Sequence, residues 1–532
     1  MPAFIWIFII LNMNRLKLLV ENKQQALLKK GLKGIEKESL RLSNQGFIAQ
    51  TPHPSKLGAA LTHEHITTDY SEALLEFITP PYADINETLS FMTNIHQFVY
   101  DNLVDEHLLA ASMPCGINGD ESIPLAEYGD SNIGKMKHIY RKGLWHRYGR
   151  TMQAIAGIHF NYSVPEALWP VLHQLEDSQQ SLEDFKSSGY FHLIRNFQRQ
   201  GWLILYLFGA SPAICKNFFK SRPELMDQFD EFDNGTLYHP YATSLRMSDI
   251  GYKSNNQANL KIDYNSLTGY VDSLSHAINT PYPEYEEIGV KVNDEYHQLN
   301  SNILQIENEF YSTVRPKQII KPCEKPTLAL KRRGVRYVEI RSLDLDLFNP
   351  IGIDAQRARF IEALLLSCLL HDSPGIDAAD FKTHNTNQLS VAHQGRKPNL
   401  ELIKDGETIR LQDWANEILD NMQVICDILD ENEADDYYNQ ALVAQRKLID
   451  DPELTPSARI LSGMQASKKP FAYFAENISK EHAQSFNAQK LNSNDSKTFQ
   501  QLAQSSHIKQ HEIEANDSLP FDDFLGKYFS QS

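Results

Sequence analysis

The sequence predicts an α+β protein built on a mainly antiparallel sheet. Three observations point there. Polar and apolar residues alternate in four segments far apart in the chain: GIEKESLRL from Gly34, EALLEFITP from Glu72, GIHFNYS from Gly157 and RYVEIRSLD from Arg336. These segments follow no regular βαβ rhythm, which disfavours a doubly wound parallel sheet. The long helical patterns come mostly after Pro350, so a sheet-rich half precedes a helical one.

Taken in order, the first residues, MPAFIWIFIIL, form an apolar run. It is too short for a bilayer span of about 20 residues and has no basic leading region or small-residue cleavage site, so membrane association is not expected. Met13 reads as the more conventional start. Residues 1–30 are taken as an N-terminal extension with a lead-in helix. The strand around Glu36 follows, then the strand EFITPP with its proline stop, then helical spacing at Ile85, Leu89, Met92, Ile95 and Val99. A further helix is expected over Phe185–Phe197. Between Tyr238 and Asp346, NSNILQIENEFYSTVRP from Asn300 and GVRYVEIRSLDLD from Gly334 read as strands of a shared sheet. Residues 31–350 thus form the expected catalytic core. Helices over Gln356–His371, Asp413–Leu429 and Tyr437–Ile449 make residues 351–466 a helical part. The Ser/Gln/Asn-rich stretch 467–532 is expected to be helical or partly mobile.

Composition narrows the function. An apolar content of 42% over 532 residues suffices for a core, and a net charge of −17 without a basic patch argues against nucleic acid. Five scattered cysteines without a CxxC pair read as reduced thiols of a cytoplasmic protein.

The alternating segments carry the chemistry. Glu36 and Glu38 share a strand face about 7 Å apart, within reach of a divalent ion, although a solvated charged face gives the same pattern. Glu72 and Glu76 share a face with Leu74 and Ile78, and Asp69 fits a turn as well as a ligand. His159 and Asn161 share a face, as do Tyr337, Glu339 and Arg341. Glutamate suits a hard cation and arginine grips phosphate oxygens. Neither a GxxxxGK[ST] nor a GxGxxG motif occurs, so any nucleotide must be held by metals and side chains.

From about Gly31 to about Gly463 the chain resembles the proteobacterial type of glutamate–cysteine ligase. The resemblance is carried by ALTHEHITTDYSEALLEFITP, LFGASPAIC, PYATSLRMSDIGY, NSNILQIENEFY and YVEIRSLD. It implies a bent antiparallel sheet forming a funnel, similar to the glutamine synthetase catalytic core, and ATP-driven joining of the L-glutamate γ-carboxylate to the L-cysteine amine. It further implies metal positions at Glu36, Glu38, Glu76, His159 and Glu339, with Asp69 nearby, for Mg²⁺ or alternatively Mn²⁺. The resemblance likewise implies substrate positions at Tyr140, Leu144, Gln153, Ile155, Arg246, Tyr252 and Tyr311, with Arg341 beside the transferring phosphoryl group. Feedback by glutathione and a monomeric state are expected. A carboxylate–amine ligase with another amine, and a non-catalytic metal- or nucleotide-binding relative, are the alternatives.

Overall fold

Seven strands form the main sheet of the computed structural model, which describes residues 13–251, 257 and 260–531. The apolar run at residues 1–12 and Tyr252 lie outside the described residues. In chain order the strands are β1 (Leu32–Ser43), β2 (Ile66–Thr68), β3 (Leu74–Ile78), β4 (Glu106–Leu108), β5 (Ile158–Ser163), β6 (Ala213–Cys215), β7 (Asp230–Asp233), β8 (Thr236–Tyr238), β9 (Lys291–Val292), β10 (Glu295–Tyr296), β11 (Val314–Lys317), β12 (Tyr337–Leu343), β13 (Glu401–Lys404) and β14 (Glu407–Arg410). The main sheet runs β11-β12-β5-β1-β3-β2, with β4 on the last residues of β1, and every pairing in it is antiparallel.

Its two faces differ as alternation requires. One face carries Ile35, Phe77, Ile158, Phe160, Tyr162, Val338 and Ile340, all fully buried. Helices Ile85–Tyr100 and Leu182–Gln200 pack on this side, and Ala355–Leu370 packs on both of them. The other face carries Glu36, Glu38, Glu76, His159, Asn161 and Glu339. An ion pair pins the central strand to the helical half: Lys33 Nζ lies 3.0 Å from Glu362, and both side chains are almost fully buried.

The helices expected from periodicity occur at Ile85–Tyr100, Leu182–Gln200, Ala355–Leu370, Leu411–Asp430 and Tyr437–Asp450. Asp84, Ser181 and Asp354 cap the first three by accepting from backbone N–H groups of the opening turn. Residues 471–529 carry three helices, Phe471–Asn487, Ser493–Asn516 and Phe521–Phe529. Ser479 Oγ accepts from Ala110 N at 2.9 Å, and Tyr528 reaches the cavity described below.

The middle of the chain departs from expectation. Only Val314–Lys317 of the segment beginning at Asn300 is a strand. The alternating polar residues before it bond to local backbone instead: Gln305 Oε1 accepts from Leu299 N, Asn300 donates to Gln305 O, and Glu309 Oε2 accepts from Gln305 N. Such bonds compete with a strand ladder. Beyond Tyr238, β9 and β10 form a separate two-stranded sheet, while β11 and β12 pair in the main sheet, so only the ends of the two alternating segments share one. Glu72 is likewise displaced. It precedes β3 and accepts from His53 N and Glu127 N, away from the carboxylate face.

Candidate active site

Register on the polar face brings the sequence-distant acids together. Glu38 stands opposite Glu76, Glu36 opposite His159, and Glu339 opposite Asn161. His159 is the hub. Its Nδ1 lies 3.0 Å from Glu36 Oε2 and 3.6 Å from Glu339 Oε1, and its Nε2 lies 3.7 Å from Glu38 Oε1. Asn161 Nδ2 donates to Glu36 Oε1 at 2.9 Å, and Gly157 N donates to Glu38 Oε2 at 2.6 Å. Glu36, Glu76 and His159 each offer one ligand atom within 4.8 Å of the others.

Environment splits these acids into two groups. Burial pushes the Glu38 carboxyl up, with Asp69 adding to the shift. Burial together with Glu36, Asp69 and Glu38 raises Glu76 far above the ordinary carboxylate range. Burial acts the same way on Glu339, but Lys317, Arg341, His159 and Arg315 outweigh it and hold that carboxyl well below the usual range. At Glu36 the hydrogen bond with His159 and the charges of His159 and Lys317 overcome burial and the repulsion of Glu339.

The residues fit divalent cations. His159 Nε2 and Glu339 Oε2 are buried without a hydrogen-bond partner, next to carboxylates, where leaving them unsatisfied is costly. Oxygen donors with one imidazole suit Mg²⁺ or Mn²⁺.

These groups floor a cavity of about 410 Å³. Its walls bring in Tyr140 and Leu144 from helix Asn132–Tyr148, Gln153 and Ile155 from the turn beginning at Thr151, Arg246, Tyr311 and Arg341. Every expected site residue that lies within the described residues lines it, Asp69 included. Gln153 Nε2 donates to Tyr311 OH at 2.7 Å. Arg246 donates to the Arg341 carbonyl at 3.0 Å and lies 3.8 Å from Asp344, which accepts from Ser211 and Ser244 hydroxyls. Gly157 makes room for it, because a Cβ there would lie 2.0 Å from an Arg246 terminal nitrogen. Behind the tyrosines, Arg147 and Glu309 form a fully buried pair at 2.8 Å, and Tyr148 OH donates to the same carboxylate.

The cavity also exposes residues not singled out from the sequence: Lys137, Arg141, Arg315 and Lys317. Burial and Arg141 push Lys137 down to about 8 against the pull of Glu76 and Asp69. Period-two reading of Val314–Lys317 puts Arg315 and Lys317 on one face, a signal short but present. The two wall residues on the helix carry no comparable signal. The lining thus combines a group of carboxylates, Glu36, Glu38, Asp69, Glu76 and Glu339, with cations from several separate elements, an arrangement whose charges suit divalent ions and a polyanion together.

Residues 16–391 match the sequence profile described as Glutamate-cysteine ligase. The chain is 51% identical over 502 residues to a glutamate–cysteine ligase of Pseudomonas putida, covering 94% of this chain and 95% of that one. It is 47% identical over 503 residues to one of Alcanivorax borkumensis, covering 93% and 95%. A crystal structure of glutamate–cysteine ligase from Francisella tularensis in complex with AMP superposes with a TM-score of 0.88 at 38% identity, over 94% of this chain and 98% of that one. A bifunctional glutathione synthetase from Pasteurella multocida gives 0.71 at 25% identity, over 88% and 54%. With its carboxylate-floored cavity and this extent of similarity, the chain belongs to the glutamate–cysteine ligase family.

Proposed function

We propose that the cavity catalyses ATP-dependent joining of the L-glutamate γ-carboxylate to the L-cysteine amino group through γ-glutamyl phosphate, giving γ-glutamylcysteine, ADP and phosphate, the first step of glutathione biosynthesis. The observation that carries the reading is the convergence of Glu36, Glu38, Glu76, His159 and Glu339 beside Arg341 in one cavity. A carboxylate resists nucleophilic attack by an amine, so phosphoryl transfer must first give it a leaving group. Both reacting partners are anionic. Divalent ions, when bound, neutralise the phosphate and carboxylate charges; Glu36, Glu38, Glu76, His159 and Glu339 would hold them.

Arg341 then has a defined task. Its Nη1 is 3.1 Å from Glu339 Oε1, which fixes the guanidinium beside the acids, where it stabilises charge on the transferring oxygens. Arg246, Tyr140, Leu144, Gln153, Ile155 and Tyr311 wall the substrate region, Tyr252 is assigned to the same region by sequence, and burial there protects an acyl phosphate from water. The catalytic core is residues 31–350, buttressed by the helices that follow. The five unpaired cysteines support a cytoplasmic setting. No helix among the described residues is long and apolar enough to cross a membrane. A monomer, inhibited by glutathione through its γ-glutamyl group, completes the reading.

An ADP-release assay omitting glutamate, cysteine and metal in turn tests it. Release should require all three, and release that is indifferent to cysteine would assign another amine.

A further inference from the structure

Lys317 is held differently from Arg315 and Arg246. Arg315 donates to the carbonyl oxygens of Asn308 and Phe310, and Arg246 is 1% exposed, donating to the Arg341 carbonyl and lying 3.8 Å from Asp344. Lys317 ends β11 with 26% of its side chain exposed, and its ammonium lies 3.3 Å from Glu339 Oε1. That oxygen also faces Arg341 at 3.1 Å and His159 at 3.6 Å, while Glu339 Oε2, buried, has no hydrogen-bond partner. A monovalent cation therefore rests on a carboxylate suited to a divalent one.

We propose that Lys317 is a charge placeholder: it neutralises Glu339 until a divalent cation enters, then turns its ammonium to an anionic phosphate oxygen of the nucleotide. The inference rests on the function proposed above. Two cations sharing one carboxylate in a partly dry cavity repel each other, so entry of the ion weakens the ammonium contact. A compact charge on a flexible four-carbon stem can leave, whereas Arg315, tied to two carbonyls, stays in place. The nucleotide's phosphates are the anions that the same cavity would then present.

The test compares Lys317→Met, Lys317→Ala and Lys317→Arg with the unaltered protein. Mn²⁺ binding without nucleotide is read from the electron paramagnetic resonance signal of free ion, and ADP affinity at saturating Mn²⁺ from calorimetry. The two neutral variants should bind Mn²⁺ about tenfold more tightly yet bind ADP about tenfold more weakly, and the arginine variant should stay within about threefold in both. A merely structural lysine would weaken both affinities. Mn²⁺ affinity that does not rise, or ADP affinity that does not fall, in the neutral variants overturns the proposal. Neither readout needs turnover, so failure of the unaltered protein to release ADP would sink the functional reading separately.

Discussion

Glu38 and Glu76 stand directly opposite each other across the β1–β3 ladder, and burial lifts both carboxyls above their ordinary range. Like charges in this position oppose sheet formation. The fold tolerates the pair because Lys317, Arg341 and His159 offset the neighbouring acids, and because a cation would join what the protein alone keeps apart.

Stability should reveal this cost. Glu38 and Glu76 hold protons more tightly when folded, so their contribution is most favourable at low pH and is lost as pH rises from the ordinary value of 4.5 upward. Glu36 and Glu339 act oppositely, their contribution fading as pH falls below that value. In chelator, Glu76→Gln should therefore raise the melting temperature at pH 8 by about 1–3 °C and have little effect at pH 4. Mn²⁺ should raise the melting temperature of the unaltered protein more than that of the variant. Calorimetric melts showing equal values at pH 8 would contradict the electrostatic account.

Glu339→Gln keeps the shape but removes the charge facing Lys317, Arg341 and His159. ADP release with both amino acids present should drop by about 100-fold or more, with an unchanged circular dichroism spectrum. Unchanged turnover would remove Glu339 from the reaction.

Gln153→Leu and Tyr311→Phe each break the 2.7 Å bond between these side chains. One such bond contributes about 0.5–1.5 kcal/mol, so, with these side chains walling the amino-acid substrate region, the KM of glutamate or cysteine should rise about 3- to 10-fold while the ATP KM holds. The double variant should resemble the singles, since both remove one interaction. Steady-state kinetics showing an ATP defect instead would move this wall to the nucleotide.

Gly157→Ala would place a methyl against the buried Arg246 guanidinium and force it to shift. Turnover should fall about tenfold, with the cooperative thermal transition retained. Kinetics matching the unaltered protein would show that Arg246 can move without consequence.

Much of this was legible in the chain. Alternation in GIEKESLRL, GIHFNYS and RYVEIRSLD put Glu36, Glu38, His159 and Glu339 on strand faces, and the structure has those strands. Helical spacing located five helices, because an amphipathic stripe is written in consecutive residues. The segment from Asn300 misled, since Gln305 and Glu309 use their polar groups on local backbone and on Arg147. Glu72 misled likewise, because its two backbone donors come from His53 and Glu127, far along the chain.

Residue type and period by themselves determined which side chains could serve cations and phosphates, because alternation is local. Only the tertiary structure decided which of them meet. Register across β3, β1, β5 and β12 set Glu76, Glu38, Glu36, His159 and Glu339 in one cavity and brought Lys317 to Glu339. Charges this close shift one another strongly in a buried site, so the difference between Glu76 and Glu339 arises from Arg341, two residues along the same strand face, together with Lys317 and His159, which only the fold brings beside Glu339.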